Sequence, residues 1–183
     1  MKNLIKNRRL PKNSTKRVGA QTPKYIIFHE ASLGDGRSPA EYNLRHYEQK
    51  LLNDTTTIGY HYMVSDTEIF QFLEDDVATD HCGNPHINGC SIGVERLICK
   101  GIDYAAALDN QAQLIAYLAV KHDIALDHIL PHSAVALNGK PCPQRLINGW
   151  YYADDEETQK VPYSIGDFYA AIKKYIELFK IAA

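Results

Sequence analysis

The amino-acid sequence predicts an α/β fold in which helices flank a central mixed β-sheet. Three observations carry that expectation. Short β-branched and aromatic runs alternate along the chain with segments of helical period. The tight strand-glycine-helix signature of a nucleotide-binding sheet is missing, which favours a mixed sheet over a doubly wound one. Finally, 183 residues at 45% hydrophobic and 23% charged suit one domain with a full core.

Residues 1–23 read as a basic arm packed on or preceding the domain, and residues 24–183 as the single domain itself. Residues 1–24 hold eight of the 20 Lys and Arg and no acid, so the remaining chain sets 12 bases against all 22 acids. Two readings of the arm stand side by side. It meets an anionic polymer, or it folds back over the acidic body.

"KYIIFHE" (residues 24–30) is a buried strand by its β-branched and aromatic content. Ser38-Pro39-Ala40-Glu41 has the serine, proline and glutamate of a helix start, and the helix runs to about Asn53 with Leu44, Tyr47 and Leu51 on one face. "IGYHYMVSD" and "EIFQFLE" form a hairpin turning at Ser65-Asp66-Thr67. A loop rich in Gly, Asn, His and Cys (Asp80 to Cys90) leads into the strand "SIGVERLIC". Residues 104–122 are the longest helix, with Leu108, Ala112, Ile115 and Ala119 on one face. The last helix, about Ser164 to Ile181, spaces Ile165, Phe168, Ile172, Ile176 and Phe179 helically.

No apolar stretch approaches the ~20 residues of a membrane span, and the N-terminus lacks a signal peptide's apolar run. Neither membrane insertion nor general export is expected. Without an export signal, Cys82, Cys90, Cys99 and Cys142 do not read as a disulfide framework.

The segment "LPHSAVALNGKPCP" carries the sharpest chemical signal. Cys142 sits between two prolines, in a loop that is neither helix interior nor central strand and that can aim a side chain. Imidazole and thiolate are zinc ligands, and a catalytic zinc takes three of them. His29, His132 and Cys142 offer such a set, although singly each has a plainer role as a hydrogen-bonded histidine or a small buried hydrophobe. Glu95 lies within an apolar strand. Alternation puts Ile92, Val94 and Arg96 on one face and Gly93, Glu95 and Leu97 on the other. There Glu95 is either a solvent-facing, paired acid or a general base. Lys140, two residues before Cys142, points to the thiolate's side if the loop is extended, as an oxyanion partner would.

In their local contexts these residues resemble the type 2 N-acetylmuramoyl-L-alanine amidases, the zinc amidase family that includes phage endolysins, bacterial autolysins and the peptidoglycan-recognition fold. The resemblance covers roughly residues 10–147, through "YIIFHEAS", "GYHYMVSDTEIFQFLEDDVATDHCG", "CSIGVERLICKGIDY" and "HSAVALNGKPCPQRL". It implies zinc ligands at His29, His132 and Cys142, with "FHEAS" standing where an HNT-like sequence is more usual. It implies catalytic roles for Glu95, Lys140 and Tyr60, although members with the tyrosine often lack the glutamate, and substrate contact for His81. His61 reads as a core histidine. Cys82, Cys90 and Cys99 receive no family role, and packing is the default for Cys99.

The implied activity is zinc-dependent hydrolysis of the amide between N-acetylmuramic acid and L-alanine in peptidoglycan, by an endolysin or autolysin. The alternative is a non-catalytic peptidoglycan-binding module, which lacks the cysteine ligand. A structural zinc or DNA-binding protein is disfavoured by the acidic body and the absence of four-ligand spacing, so no nucleic acid is expected. A monomer is expected, made in the cytoplasm without a signal peptide and acting on the wall after holin-mediated or lytic release. The basic arm would then touch wall polymer.

Overall fold

The computed structural model describes residues 5–32, 40–99, 101–152, 158–160 and 164–182. The basic arm supplies the strands Ile5–Asn7 (β1) and Gly19–Ala20 (β2), neither visible as a periodic run. Tyr25–Ser32 (β3) is the expected β-branched strand, followed by the helix Ala40–Asn53 (α1). The cap expected at Ser38 lies outside the described residues. Tyr62–Val64 (β4) and Ile69–Gln71 (β5) form the hairpin in antiparallel register, closed by the Ser65 N–H donating to the Glu68 carbonyl at 2.8 Å. Its strands are shorter than the alternating runs, although His61 continues the pairing, its carbonyl accepting Phe72 N–H at 2.8 Å and its N–H donating to Gly93 O at 3.0 Å.

Val77–Ala78 (β6) pairs with β2. The polar loop that follows contains a helical turn, Pro85–Asn88 (α2), whose N-cap Asn84 side chain accepts from Ile87 N–H. Ser91–Ile98 (β7) and Tyr104–His122 (α3) fall where periodicity put them. Asp103 caps the start of α3, and left-handed Asp123 ends it. Beyond come Ile129–Pro131 (β8), the short helices His132–Val135 (α4) and Gln144–Asn148 (α5), and the antiparallel pair Trp150–Tyr152 (β9) and Thr158–Lys160 (β10). The final helix Ile165–Ile181 (α6) begins at a capping box between Ser164 and Asp167.

The main sheet has the order β1-β5-β4-β7-β3-β8 and is mixed, since only β4 and β5 pair antiparallel. Side chains divide as alternation requires. Ile26, Phe28, Ile92, Val94 and Ile98 pack beneath α3 and α6, with Phe28 meeting the rings of Phe168 at 5.2 Å and Tyr169 at 5.9 Å. Burying a side chain such as Phe28 contributes about 1.5–3 kcal/mol, so this face anchors the sheet. The opposite face gathers Met63, Phe72, Leu97 and Tyr60 against Leu51 of α1 and Leu10 of the arm.

Residues 5–20 fold back over the acidic body. Leu10 is buried, and Arg8 and Leu10 donate backbone hydrogen bonds to Gln71 and Phe72, each 2.9 Å. Lys6 pairs with Glu68, while Arg9 and Arg17 share Glu74 at 2.9 and 2.7 Å. The wholly buried Lys16 donates to the Asp54 and Thr56 carbonyls, just past the end of α1, at 2.8 and 2.6 Å.

A second buried charge ties the hairpin to α3. Asp75 accepts from Tyr62 (2.6 Å), Gln71 (3.1 Å), Lys121 (2.7 Å) and His122 (2.8 Å). Burial alone would raise its pKa, yet these bonds, led by His122 and Lys121, hold the carboxyl well below the usual carboxylate range. A carboxylate with a depressed folded-state pKa adds stability above its unfolded pKa of about 4 and loses it as pH falls towards the folded value. Asp75→Asn is therefore expected to cost about 2 kcal/mol at pH 7. Urea titrations should show the gap from wild type narrowing below about pH 4.

Candidate metal centre

Three separate segments bring the predicted ligands together. His29 faces away from the helix layer on β3, His132 opens α4 directly after β8, and Cys142 precedes α5. All three are buried, and one donor atom from each lies within 4.8 Å of the others. The Nδ1 atoms of His29 and His132 approach to 2.9 Å. The Cys142 sulfur accepts the Glu30 N–H at 3.4 Å, and the Cys142 carbonyl accepts Ser133 N–H at 2.8 Å, which ties the loop to α4.

A cleft of about 420 Å³ opens over this cluster. Tyr60, Glu95 and Lys140 line it, as do Tyr47 and Lys50 of α1 and Arg145 of α5. Glu95 Oε1 stands 3.8 Å from His29 Nδ1, and its side chain is 15% exposed, so it belongs to the cleft rather than to a solvated surface. Tyr60 is wedged edge-on between Phe72 and Tyr47. The Tyr60 hydroxyl and Glu95 Oε2 are buried without a hydrogen-bond partner. Buried polar atoms are rarely left so, and two on one cleft mark a place built for something other than protein.

Lys140 reaches the cleft by a route the sequence did not suggest. The loop is not extended there, because Cys142 N–H donates to the Lys140 carbonyl at 3.0 Å and folds the chain into a tight turn. Exposed Lys140 still acts electrostatically on His29, His132 and Glu95.

Burial lowers both imidazoles, His29 well below its ordinary value and His132 to about 4, with Lys140 reinforcing the effect, so both are neutral at pH 7. Burial and then the Glu95 charge push the Cys142 thiol up to about 12. Burial raises Glu95 to about 7, Lys140 opposing. Neutral imidazole is the ligating form, and a metal's charge deprotonates a coordinating thiol outright. Two imidazole nitrogens and one sulfur, with the unpartnered Tyr60 hydroxyl and a Glu95 carboxylate oxygen on the same cleft, fit a catalytic zinc.

Residues 19–145 match the sequence profile of the family described as N-acetylmuramoyl-L-alanine amidase. The chain belongs to that family. It is 34% identical over 146 residues to N-acetylmuramoyl-L-alanine amidase XlyA of Bacillus subtilis, covering 77% of this chain and 46% of the relative. It is 30% identical over 152 residues to CwlH of the same organism, covering 80% and 58%. The chain thus spans about half the length of the curated relatives it matches. Among solved structures, the catalytic domain of XlyA superposes with a TM-score of 0.75 at 30% identity, covering 92% of this chain and 98% of that one.

Further histidines and the cysteines lie around this cluster. His81 also lines the cleft, and its two ring nitrogens lie 3.1 Å from His29 Nε2 and 2.9 Å from Ser91 Oγ. His61 is the expected core histidine, accepting Gly93 N–H at Nδ1 and donating from Nε2 to Val77 O. All four cysteines are free. Cys99 packs with Met63 and Leu97, and the Cys82 thiol donates to Asn88.

Glu30, which interrupts the HNT-like pattern, is a clamp. Its Oε2 accepts from Arg96 at 3.1 Å, and its Oε1 accepts from the Arg145 backbone at 2.8 Å, holding the helix start just after Cys142. Arg96, wholly buried, also donates to Gln111 (2.8 Å) and Tyr104 (2.7 Å), and Gln111 returns a bond to the His29 carbonyl at 3.1 Å. Glu30→Ala leaves Arg96 buried without its countercharge and is expected to destabilise by about 3–5 kcal/mol. It should also speed labelling of Cys142 by a thiol reagent in metal-free protein, measured against Cys99.

Proposed function

We propose that the chain hydrolyses the amide joining the lactyl group of N-acetylmuramic acid to the first L-alanine of the peptidoglycan stem, with zinc held by His29, His132 and Cys142. The observation that carries this reading is the convergence of those three donors within 4.8 Å on the floor of a cleft that Glu95, Tyr60 and Lys140 also line. Membership of the family and the activity named for XlyA and CwlH support it.

When bound, zinc would supply Lewis-acid polarisation of the scissile carbonyl and make water more acidic there. Glu95 takes a proton from water attacking the carbonyl carbon, its carboxylate standing on the cleft 3.8 Å from His29 Nδ1. It then returns that proton to the alanine nitrogen as the C–N bond breaks, giving a muramyl carboxylate and a free α-amine. Lys140 places its ammonium against the oxyanion that develops on the carbonyl oxygen. Tyr60, its phenol raised well above the usual value by burial and by Glu95, remains a neutral donor to the same oxygen or to the leaving nitrogen. On this division Glu95 moves the proton and Tyr60 orients.

The substrate then lies in the bacterial wall, reached as an endolysin or autolysin. Contact between the arm and wall polymer falls to exposed Lys12 and Lys24, the other described bases of the arm being paired with acids or, for Arg8, set over the Phe70 ring.

Incubating the zinc-loaded protein with purified peptidoglycan should release stem peptides with a free N-terminal alanine, read by mass spectrometry. New reducing sugar ends would overturn the reading. Glu95→Gln should retain zinc while kcat falls roughly 100- to 10,000-fold. Lys140→Ala should also keep zinc and lose on the order of 100-fold. Cys142→Ser should lose zinc and lysis together, and equal zinc content with equal lysis would remove Cys142 from the site.

A further inference from the structure

His81 follows β6, and its half-buried ring lies flat against β7. A Cβ at Gly93 would stand 2.9 Å from both Cγ and Nδ1 of that ring, closer than real side chains approach, so glycine is what admits the imidazole there.

The hydrogen bonds around His81 can be satisfied by neutral rings in one arrangement. Ser91 Oγ lies 2.6 Å from the Ile87 carbonyl, which has no hydrogen to give, so the serine's single hydrogen goes there. Towards His81 Nε2, 2.9 Å away, Ser91 Oγ can then only accept, which places the His81 hydrogen on Nε2. His81 Nδ1 is left with a lone pair and must accept from His29 Nε2 at 3.1 Å. His29 therefore carries its hydrogen on Nε2. Its Nδ1 keeps a lone pair directed at the cluster, 2.9 Å from the Nδ1 of His132.

From this we infer that His81 is a positioning residue which acts through His29, holding that imidazole in the tautomer and orientation that present Nδ1 to the metal. The inference rests on the zinc site proposed above. It gives physical content to Ser91, Gly93 and Glu95, which alternation places on one face of β7. Ser91 fixes the proton on His81, Gly93 leaves space for the ring, and Glu95 faces the reacting bond. Outer partners of this kind typically change metal affinity roughly 10- to 100-fold when removed.

Two substitutions separate the acceptor from mere packing. His81→Phe keeps a ring against Gly93 but has no acceptor, whereas His81→Asn sets an oxygen where Nδ1 stands. Zinc affinity, measured by chelator competition, should fall roughly 10- to 100-fold in the Phe variant and stay within a few-fold of wild type in the Asn variant. Nitrogen NMR of zinc-loaded wild type should show His29 protonated at Nε2. Equal zinc affinity in folded His81→Phe and wild type would overturn the inference, as would a His29 protonated at Nδ1. Should His81→Phe fail to fold, the Asn variant and the wild-type tautomer decide. Wild type that binds no zinc would overturn the zinc site itself, an outcome distinct from these.

Discussion

The parallel register between β3 and β7 is the constraint on which the rest of the molecule depends. It sets His29 opposite Glu95 and Glu30 opposite Arg96. Because successive side chains take opposite faces, one rung supplies the cleft with an imidazole and a carboxylate, and the next supplies the helix-covered side with a buried ion pair. A slip of one residue would turn Glu95 into the apolar layer under α3 and α6 and bring Arg96 into the cleft, a double cost that fixes the register. The second ligand-bearing segment follows the same geometry. β8 pairs Pro131 with Phe28, so His132 emerges one step further along, beside His29.

That arrangement sets function against stability in one place. Two awkward buried charges elsewhere find partners, Lys16 on two carbonyls and Asp75 among four donors. At the cleft, by contrast, the Tyr60 hydroxyl and Glu95 Oε2 are buried without a partner, and the Nδ1 atoms of His29 and His132 face each other. Behind them the Ile26, Phe28, Ile92 and Val94 layer packs both strands against the helices. A cation among such donors would offset the cost of gathering them, so metal binding and local stability are coupled.

Periodicity made the long elements legible. β3, β7, α3 and α6 lie within a residue or two of where hydrophobic spacing put them, and the faces of β7 divide as alternation requires. The strands β1, β2, β6 and β8 did not show, because two or three residues carry no period and their pairing is decided by tertiary contact. The three donors were named from a loop's odd composition and a family resemblance. Lys140 follows from the family resemblance, whereas the extended loop also expected there is not what the chain adopts, since the turn closing on Cys142 is a backbone bond no side-chain pattern announces. Tyr47 was legible only as a helix-face residue, and its place on the cleft depends on how α1 packs. His81 was the hardest to read. What it does depends on Ser91 and Gly93, ten and twelve residues further on, and that relation exists only after β7 is laid beside it.

Glu30 shows how the two faces of the sheet communicate. Alternation turns it away from His29, yet its carboxylate reaches Arg96 within the helix layer and the backbone of Arg145 beyond the cysteine loop. A chain of bonds thus runs from α3, through Gln111, Tyr104 and Arg96, to the segment that carries Cys142. A loop ligand left to itself would spend conformational entropy on reaching the site. Anchored this way, Cys142 is positioned by the core, and the accuracy of the metal centre derives from the best-packed part of the protein rather than from the loop.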